Sequence, residues 1–239
     1  MIINVWSTPR TGSVWYSYWL QTQYTGSVVL NELFNKNNTD LYYYKSSSGI
    51  ENHHSYFDGC FYKDYYIQDE ILSIRDVFEK RSRSPRDEEA YLIDMLDNYN
   101  DKRIIIMHNH VDPIDESIRK HLSDTAYRNI YLYRKDKRAQ LSSYAIALST
   151  KQFVAFKPSQ ISTGIVPDID AISLVRLIDR IKIWDSLEKE ESIAYEDITF
   201  IEIPGLPIRQ NHNHRNRLSD KMNNIIDELV SEYEYCKNK

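Results

Sequence analysis

The chain has 239 residues, 41% of them hydrophobic, which is enough for one sizeable α/β domain. Its formal net charge of −5 excludes a general affinity for nucleic acid, so any anion-binding site must be local. The cysteines, Cys60 and Cys236, have neither metal-ligand nor redox spacing, and no apolar run approaches the roughly 18 residues of a membrane span. The first residues do not resemble a signal peptide. We therefore expect a cytoplasmic protein without a membrane span.

The first predicted elements are a short buried strand, IINVW, and a helix, SVWYSYWLQTQY, joined by a Pro-Arg-Thr-Gly-Ser turn. SVVLNELFN predicts a second short strand followed by a loop. Residues 36–66 are polar and aromatic without a clean period, which is typical of long functional loops. Two helices are predicted over 68–80 and 85–99, the second preceded by a serine cap with proline at its first position.

KRIIIMHNH and RNIYLYRKD predict two further strands, with a helix over 115–124 between them. This βαβ pattern indicates a parallel sheet with a right-handed crossover. Helices over 136–149, 168–187 and about 219–236 follow, with the strand segment ESIAYEDI before the last one. The amphipathic helix over 168–187 is expected to bury one face, formed by Ile172, Val175, Ile178, Ile181 and Trp184. The prediction is one α/β domain over 1–239, a three-layer sandwich with a central mostly parallel sheet flanked by helices.

The turn after the first strand has the composition of an anion site. A helix N-terminus offers backbone N–H groups without intrahelical partners, together with the positive end of the helix dipole. Gly12 lets the backbone approach an oxyanion, Thr11 and Ser13 add hydroxyl donors, and Arg10 adds a bidentate cation. The pattern is neither GxxxxGK[ST] nor GxGxxG. The alternative is a plain turn and helix cap with a solvated arginine.

A second cation stands at the end of another predicted strand. Arg134 follows NIYLY and is therefore expected in the crevice outside the carboxyl ends of the sheet. Asp136 is predicted to cap the next helix, and Ser142 lies inside it. Arg10 and Arg134 on neighbouring parallel strands would suit a ligand with two separated anionic groups.

Three segments together resemble a known enzyme family. STPRTGSVW is similar to the 5′-phosphosulfate loop of the sulfotransferases that use 3′-phosphoadenosine 5′-phosphosulfate (PAPS). YRKDKRAQLSSY is similar to their 3′-phosphate element, with arginine and serine at the same spacing, and IAYEDI resembles their Tyr-Glu-Asp-Leu segment. The three motifs occur in the family's order across most of the chain. Residues 36–100 match nothing specific and are expected to form the acceptor region.

The resemblance implies roles for individual residues toward PAPS and its product PAP. It implies that five consecutive residues wrap the 5′-phosphosulfate: Arg10, Thr11, Gly12, Ser13 and Val14, the last by its backbone. It further implies that Trp15 lies against the adenine and that Tyr195 contacts the adenine side. Arg134 and Ser142 would hold the 3′-phosphate.

The chain departs from the family pattern at two places. Val14 stands where many members carry a second hydroxyl. The Arg-Lys-Gly closing loop of the cytosolic branch is not found, and RQNHNHRNR occupies about its place, so Arg215 or Arg217 would serve instead, the alternative being a solvated basic loop.

Sulfuryl transfer needs a general base for the acceptor and positive charge on the leaving phosphate, for which Arg10 is suited. The resemblance offers two kinds of base. One is a glutamate about two dozen residues beyond the basic residue of the loop, which is Glu32 here. The other is a histidine ending the strand before the 3′-phosphate element, for which IIIMHNH offers His108 and His110.

The acceptor is expected to be a carbohydrate or other small hydroxyl compound, because DLYYYK and FYKDYY would stack on sugar faces, although an aromatic packing cluster explains them as well. The other histidines do not have metal-ligand spacing, so no metal is predicted: His53, His54, His212 and His214.

Two other functions remain open. One is a small-molecule kinase, although the chain lacks the P-loop lysine that such an enzyme would need. The other is a sulfotransferase-like protein that binds a nucleotide or partner without catalysis.

Overall fold

The computed structural model of the chain describes residues 1–24, 27–31, 104–111, 114, 116–151, 153, 164–199 and 214–237. Three predicted segments lie outside these residues: the loops over 36–66 and the helices over 68–80 and 85–99. Among the described helices, none has the length and apolar composition needed to cross a membrane.

The described residues form a parallel sheet with helices around it. The strands are β1 (Ile2–Ser7), β2 (Val28–Asn31), β3 (Ile105–His110), β4 (Arg128–Tyr133) and β5 (Ser192–Ala194), hydrogen-bonded in the order β2-β3-β1-β4-β5. The helices are α1 (Ser13–Gln23), α2 (Glu116–Thr125), α3 (Lys137–Thr150), α4 (Ala171–Ser186) and α5 (Asp220–Lys237). Short 3-10 turns lie at Tyr195–Asp197 and His214–Arg217. The prediction of an α/β sandwich with a central parallel sheet is confirmed.

The contacts of the chain divide it into two compact units. The first contains Met1–Val5 and Tyr16–Asn129, and the second contains Trp6–Trp15 and Ile130–Lys239. The loop after β1 and the segment after β4, which carry the two predicted phosphate elements, both belong to the second unit. The candidate histidines of β3 belong to the first.

In the first unit, buried strands explain why the sequence shows continuous apolar runs rather than alternation. β2 and β3 pair in parallel, with Val29 opposite Ile106, and both side chains are fully buried. The polar Asn4 is also fully buried in β1, where its Nδ2 donates to the carbonyl of Leu122 at 2.7 Å and to Oδ1 of Asn129 at 3.2 Å. These bonds satisfy the nitrogen of the buried amide, while its Oδ1 has no hydrogen-bond partner among the described residues.

In the second unit, β4 and β5 pair in parallel and α3, α4 and α5 share one hydrophobic core. The start of each of two helices is capped by an aspartate. Asp136 accepts from the backbone N–H of Ala139 at 2.8 Å, as predicted for α3, and Asp170 accepts from Ile172 at 2.9 Å. At the other end of α4, the Tyr233 hydroxyl donates to Asp185, and burial raises the pKa of that tyrosine above its usual range.

The predicted buried face of α4 was wrong at two positions. Ile172 is 56% exposed and Val175 is 42% exposed. The helix instead buries a different set: Leu174, Leu177, Ile178, Ile181 and Trp184. The reason is geometric, because three residues advance a helix by about 300°, so that each strict three-residue step moves about 60° around the axis. Only spacings that alternate between three and four residues keep to one face.

Candidate anion-binding site

The loop between β1 and α1 has a backbone conformation that its glycine alone does not explain. Gly12 has φ 74°, which glycine adopts without steric cost, but Arg10 has φ 69°, which is uncommon for any residue with a Cβ. Thr11 lies between them, fully buried, and its hydroxyl donates to the carbonyl of Thr8 at 2.9 Å. Such conformations persist only where surrounding contacts hold them, and they cluster at ligand sites.

The side chain of Arg10 is one of the contacts that hold this loop. Its Nε donates to Oγ of Ser143 at 2.9 Å, and its Nη1 donates to the carbonyl of Phe153. Its backbone carbonyl in turn accepts from Nη1 of Arg134 at 3.4 Å. The structure therefore brings the two predicted strand-end arginines together, and the alternative of a simply solvated Arg10 does not hold.

A glutamine of α3 also holds the loop. Gln140 is fully buried, and its Nε2 donates to Oγ1 of Thr8 at 2.9 Å and to the carbonyl of Pro9 at 2.7 Å. Sequence reasoning missed this residue. The stretch around it, KRAQLSS, is largely polar and gives no local signal for a buried glutamine.

Arg134 lies directly after β4, as predicted, with only 11% of its side chain exposed. Its Cζ lies 4.6 Å from the centre of the Tyr195 ring, within the range of a cation–π interaction. Its Nε is 3.8 Å from Oε1 of Glu196. Two residues that the resemblance assigned to the nucleotide, Arg134 and Tyr195, are thus in contact.

The Glu196 side chain connects the turn after β5 to the start of α3 by hydrogen bonds. Sequence reasoning did not identify this residue either. Its carboxylate accepts from the backbone N–H of Lys135 at 2.9 Å and of Asp136 at 3.1 Å. A carboxylate at this position is favourable because it faces the N-terminal end of a helix. Next to it, Lys135 pairs with Asp197 at 2.7 Å. Glu196 therefore both anchors Tyr195–Asp197 and supplies the negative charge beside Arg134.

Ser142 is the serine that the resemblance assigns to the 3′-phosphate. It is fully buried, and its Oγ lies 3.5 Å from Nη1 of Arg138, one helical turn earlier. Arg138 also donates to Oδ1 of Asp227 at 2.6 Å and to Oδ1 of Asn223 at 2.9 Å, both on α5. Ser142 thus contacts an arginine that bonds to α5.

The two arginines proposed for the closing position differ in their surroundings. Arg215 is 65% exposed and its Nη2 lies 3.6 Å from Oδ2 of Asp227. Arg217 is buried, donates to the carbonyl of Gly164 at 3.3 Å, and has a pKa lowered by that burial. Of the two, Arg215 is the one accessible to a ligand.

The remaining loop residues lie at the N-terminus of α1. Ser13 begins the helix and is buried, and Val14 is partly exposed. Trp15 is only 5% exposed, so most of its side chain is buried. α1 has no acidic residue in its first turn to occupy its N–H groups.

The structure describes two of the three candidate bases. His108 and His110 lie on β3, with ring centroids 5.0 Å apart in an edge-to-face arrangement. His108 is fully buried and His110 is partly exposed, so His110 is the more accessible of the two. Glu32, His53, His54 and His212 lie outside the described residues. Within the part of the chain that the structure describes, no group of three His, Cys, Asp or Glu side chains is arranged to hold a metal ion.

The fold and this loop define an α/β protein with an arginine-lined loop at the start of a helix. Comparisons with protein-family models and with curated proteins find no match. Among solved structures, the chain is similar to C. elegans PCH-2 at 13% sequence identity and a TM-score of 0.29, covering 100% of this chain and 62% of that chain. A likeness at this TM-score supports neither a fold nor a function.

Proposed function

We propose that the protein is a PAPS-dependent sulfotransferase, which transfers a sulfuryl group to a hydroxyl of a carbohydrate or small-molecule acceptor. One observation carries the proposal. Arg10 and Arg134, which follow two different strands, meet at a left-handed loop before α1, with Nη1 of Arg134 at 3.4 Å from the carbonyl of Arg10. The sequence resemblance supplies the choice of ligand.

The described residues fit a donor with two anionic groups. The 5′-phosphosulfate would be held by Arg10 and the backbone from Thr11 to Val14, at the positive end of α1. Arg134 would bind the 3′-phosphate, since its guanidinium is already oriented by Tyr195 and Glu196. Arg215, which is exposed, would be the outer cation of the site.

The proposed reaction exchanges one bond to sulfur for another. The acceptor oxygen forms a bond to sulfur while the bond between sulfur and the phosphate oxygen breaks, and PAP leaves with the bonding electron pair. Arg10 would stabilise the charge on the departing phosphate. The acceptor proton goes to a general base, for which Glu32, His108 and His110 are the candidates.

Ligand selectivity tests the cofactor class. We expect PAP to raise the melting temperature, because a ligand that binds only the native state adds about 2.7 kcal/mol at 100 times its dissociation constant. For a chain of this length that corresponds to a shift of about 5–10 °C. ADP and ATP–Mg²⁺ at the same concentration should give smaller shifts. A larger shift with ATP–Mg²⁺ would contradict the proposal and favour the kinase alternative.

Turnover separates an enzyme from a binding protein. Replacing the true base should lower kcat by about 10²–10⁴-fold while PAP affinity is retained. The comparison uses Glu32→Gln, His108→Gln and His110→Gln beside the wild type, with loss of sulfate from PAPS as the measurement across an acceptor panel. If all four proteins bind PAP equally and none turns over, the non-catalytic alternative is correct.

A further inference from the structure

Two residues of α3 contact the arginine-bearing loop from the same helix face. Gln140 and Ser143 are three residues apart, a spacing that places side chains side by side on a helix. Gln140 bonds to Thr8 and Pro9 at 2.9 and 2.7 Å, and the Ser143 hydroxyl accepts from Nε of Arg10 at 2.9 Å. Both side chains are buried. The loop is therefore held at its backbone by one residue and at its arginine by the other.

Ser142 lies on another face of the same helix. Successive residues are about 100° apart around a helix axis, so Ser142 projects about 100° away from the direction of Ser143. The contacts agree, because Oγ of Ser142 lies near Arg138, which bonds to Asp227 and Asn223 on α5.

The burial of Gln140 points to a role beyond packing. Its Oε1 is buried and has no hydrogen-bond partner among the described residues. An uncompensated amide oxygen in a core is unfavourable, and an apolar residue of the same length would avoid it. The two hydrogen bonds that its Nε2 donates to the loop compensate for this cost.

We propose that Gln140 and Ser143 are positioning residues that hold the Thr8–Gly12 loop and Arg10 ready for an anion, and that the Ser143 hydroxyl also contacts the anion that Arg10 binds. This deepens the proposed function and rests on it. Arg10 keeps its left-handed φ of 69° because these contacts hold it. The unfavourable loop conformation is therefore already formed before a ligand binds. The Ser143 hydroxyl, which accepts from Arg10 through its oxygen, has a proton that it can donate to the same anion.

The test compares three variants of the full chain. Gln140→Met keeps the length of the side chain without its donors, and Ser143→Ala removes the hydroxyl. Ser149→Ala removes a hydroxyl of the same helix that donates to the carbonyl of Pro167, and it is the matched control. PAP affinity is measured by calorimetry under conditions where each protein is folded, and global stability is measured by urea unfolding. We expect about a tenfold or greater loss of affinity in Gln140→Met and Ser143→Ala, and less than about twofold in Ser149→Ala.

Hydrogen exchange without ligand gives a second measurement that does not depend on PAP. We expect faster exchange over residues 10–16 in Gln140→Met and Ser143→Ala, with the loop of Ser149→Ala unchanged. Loop exchange equal to wild type in both variants overturns the inference, even if their urea midpoints fall. Equal PAP affinities in all three variants, or a larger loss in Ser149→Ala than in Ser143→Ala, also overturn it. A wild type that binds no PAP overturns the proposed function, and the exchange result then still decides whether the two residues position the loop.

Discussion

Arg134→Ala should nearly abolish PAP binding. Its guanidinium is 11% exposed, lies 4.6 Å from the Tyr195 ring centre and is 3.8 Å from Glu196. Truncating one member of a buried charge pair costs about 2–5 kcal/mol, which is about 30-fold to several thousandfold in affinity. Titration calorimetry with PAP measures the loss. Arg176→Ala, which removes an exposed arginine of α4, is the matched control and should bind PAP like the wild type.

Two further measurements identify how Arg134 acts. Arg134→Lys keeps the charge, but one ammonium cannot reproduce a planar guanidinium that stacks on Tyr195 and reaches the carbonyl of Arg10, so only part of the affinity should return.

AMP differs from PAP only by the 3′-phosphate. Arg134→Ala should therefore weaken PAP much more than AMP. Equal losses for the two ligands would mean that Arg134 supports the loop through Arg10 and does not contact the 3′-phosphate, and unchanged PAP affinity would contradict its place in the site.

The sequence predicted those parts of the fold that depend on local pattern. Continuous apolar runs identified β1, β3 and β4, because strands buried on both faces show no alternation. Asp136 was found as a cap because capping depends on residues within one turn. Arg10 and Arg134 could be expected near each other because parallel strands end at one edge of a sheet.

The missed residues have partners that are distant along the chain. Gln140 contacts a loop about 130 positions away, and Glu196 contacts backbone N–H groups about 60 positions away, so no local pattern identifies either. The resemblance assigns Ser142 to the 3′-phosphate, but it does not say which face of α3 meets the loop. That face became visible only when Ser143 was seen to accept from Arg10.

The buried face of α4 provides the prediction with the largest expected effect on stability. Leu177 is fully buried in the core shared with α3 and α5, whereas Ile172, five residues earlier on the same helix, is 56% exposed. Leu177→Ala should lower the free energy of unfolding by about 2–5 kcal/mol, since it removes buried methyl groups and leaves a cavity. Ile172→Ala should change it by no more than about 0.5 kcal/mol, as surface substitutions do.

Urea unfolding of the two variants measures both values, and an unchanged m value shows that the midpoint shift reports stability. The pair is well matched because both positions lie in α4 and both changes create alanine, so helix propensity differs little between them. A cost for Ile172→Ala close to that for Leu177→Ala would contradict the assigned face and restore the three-residue stripe that the sequence first suggested. The expected difference instead would show that Ile172 lies on the exposed side of α4 and contributes little to folding.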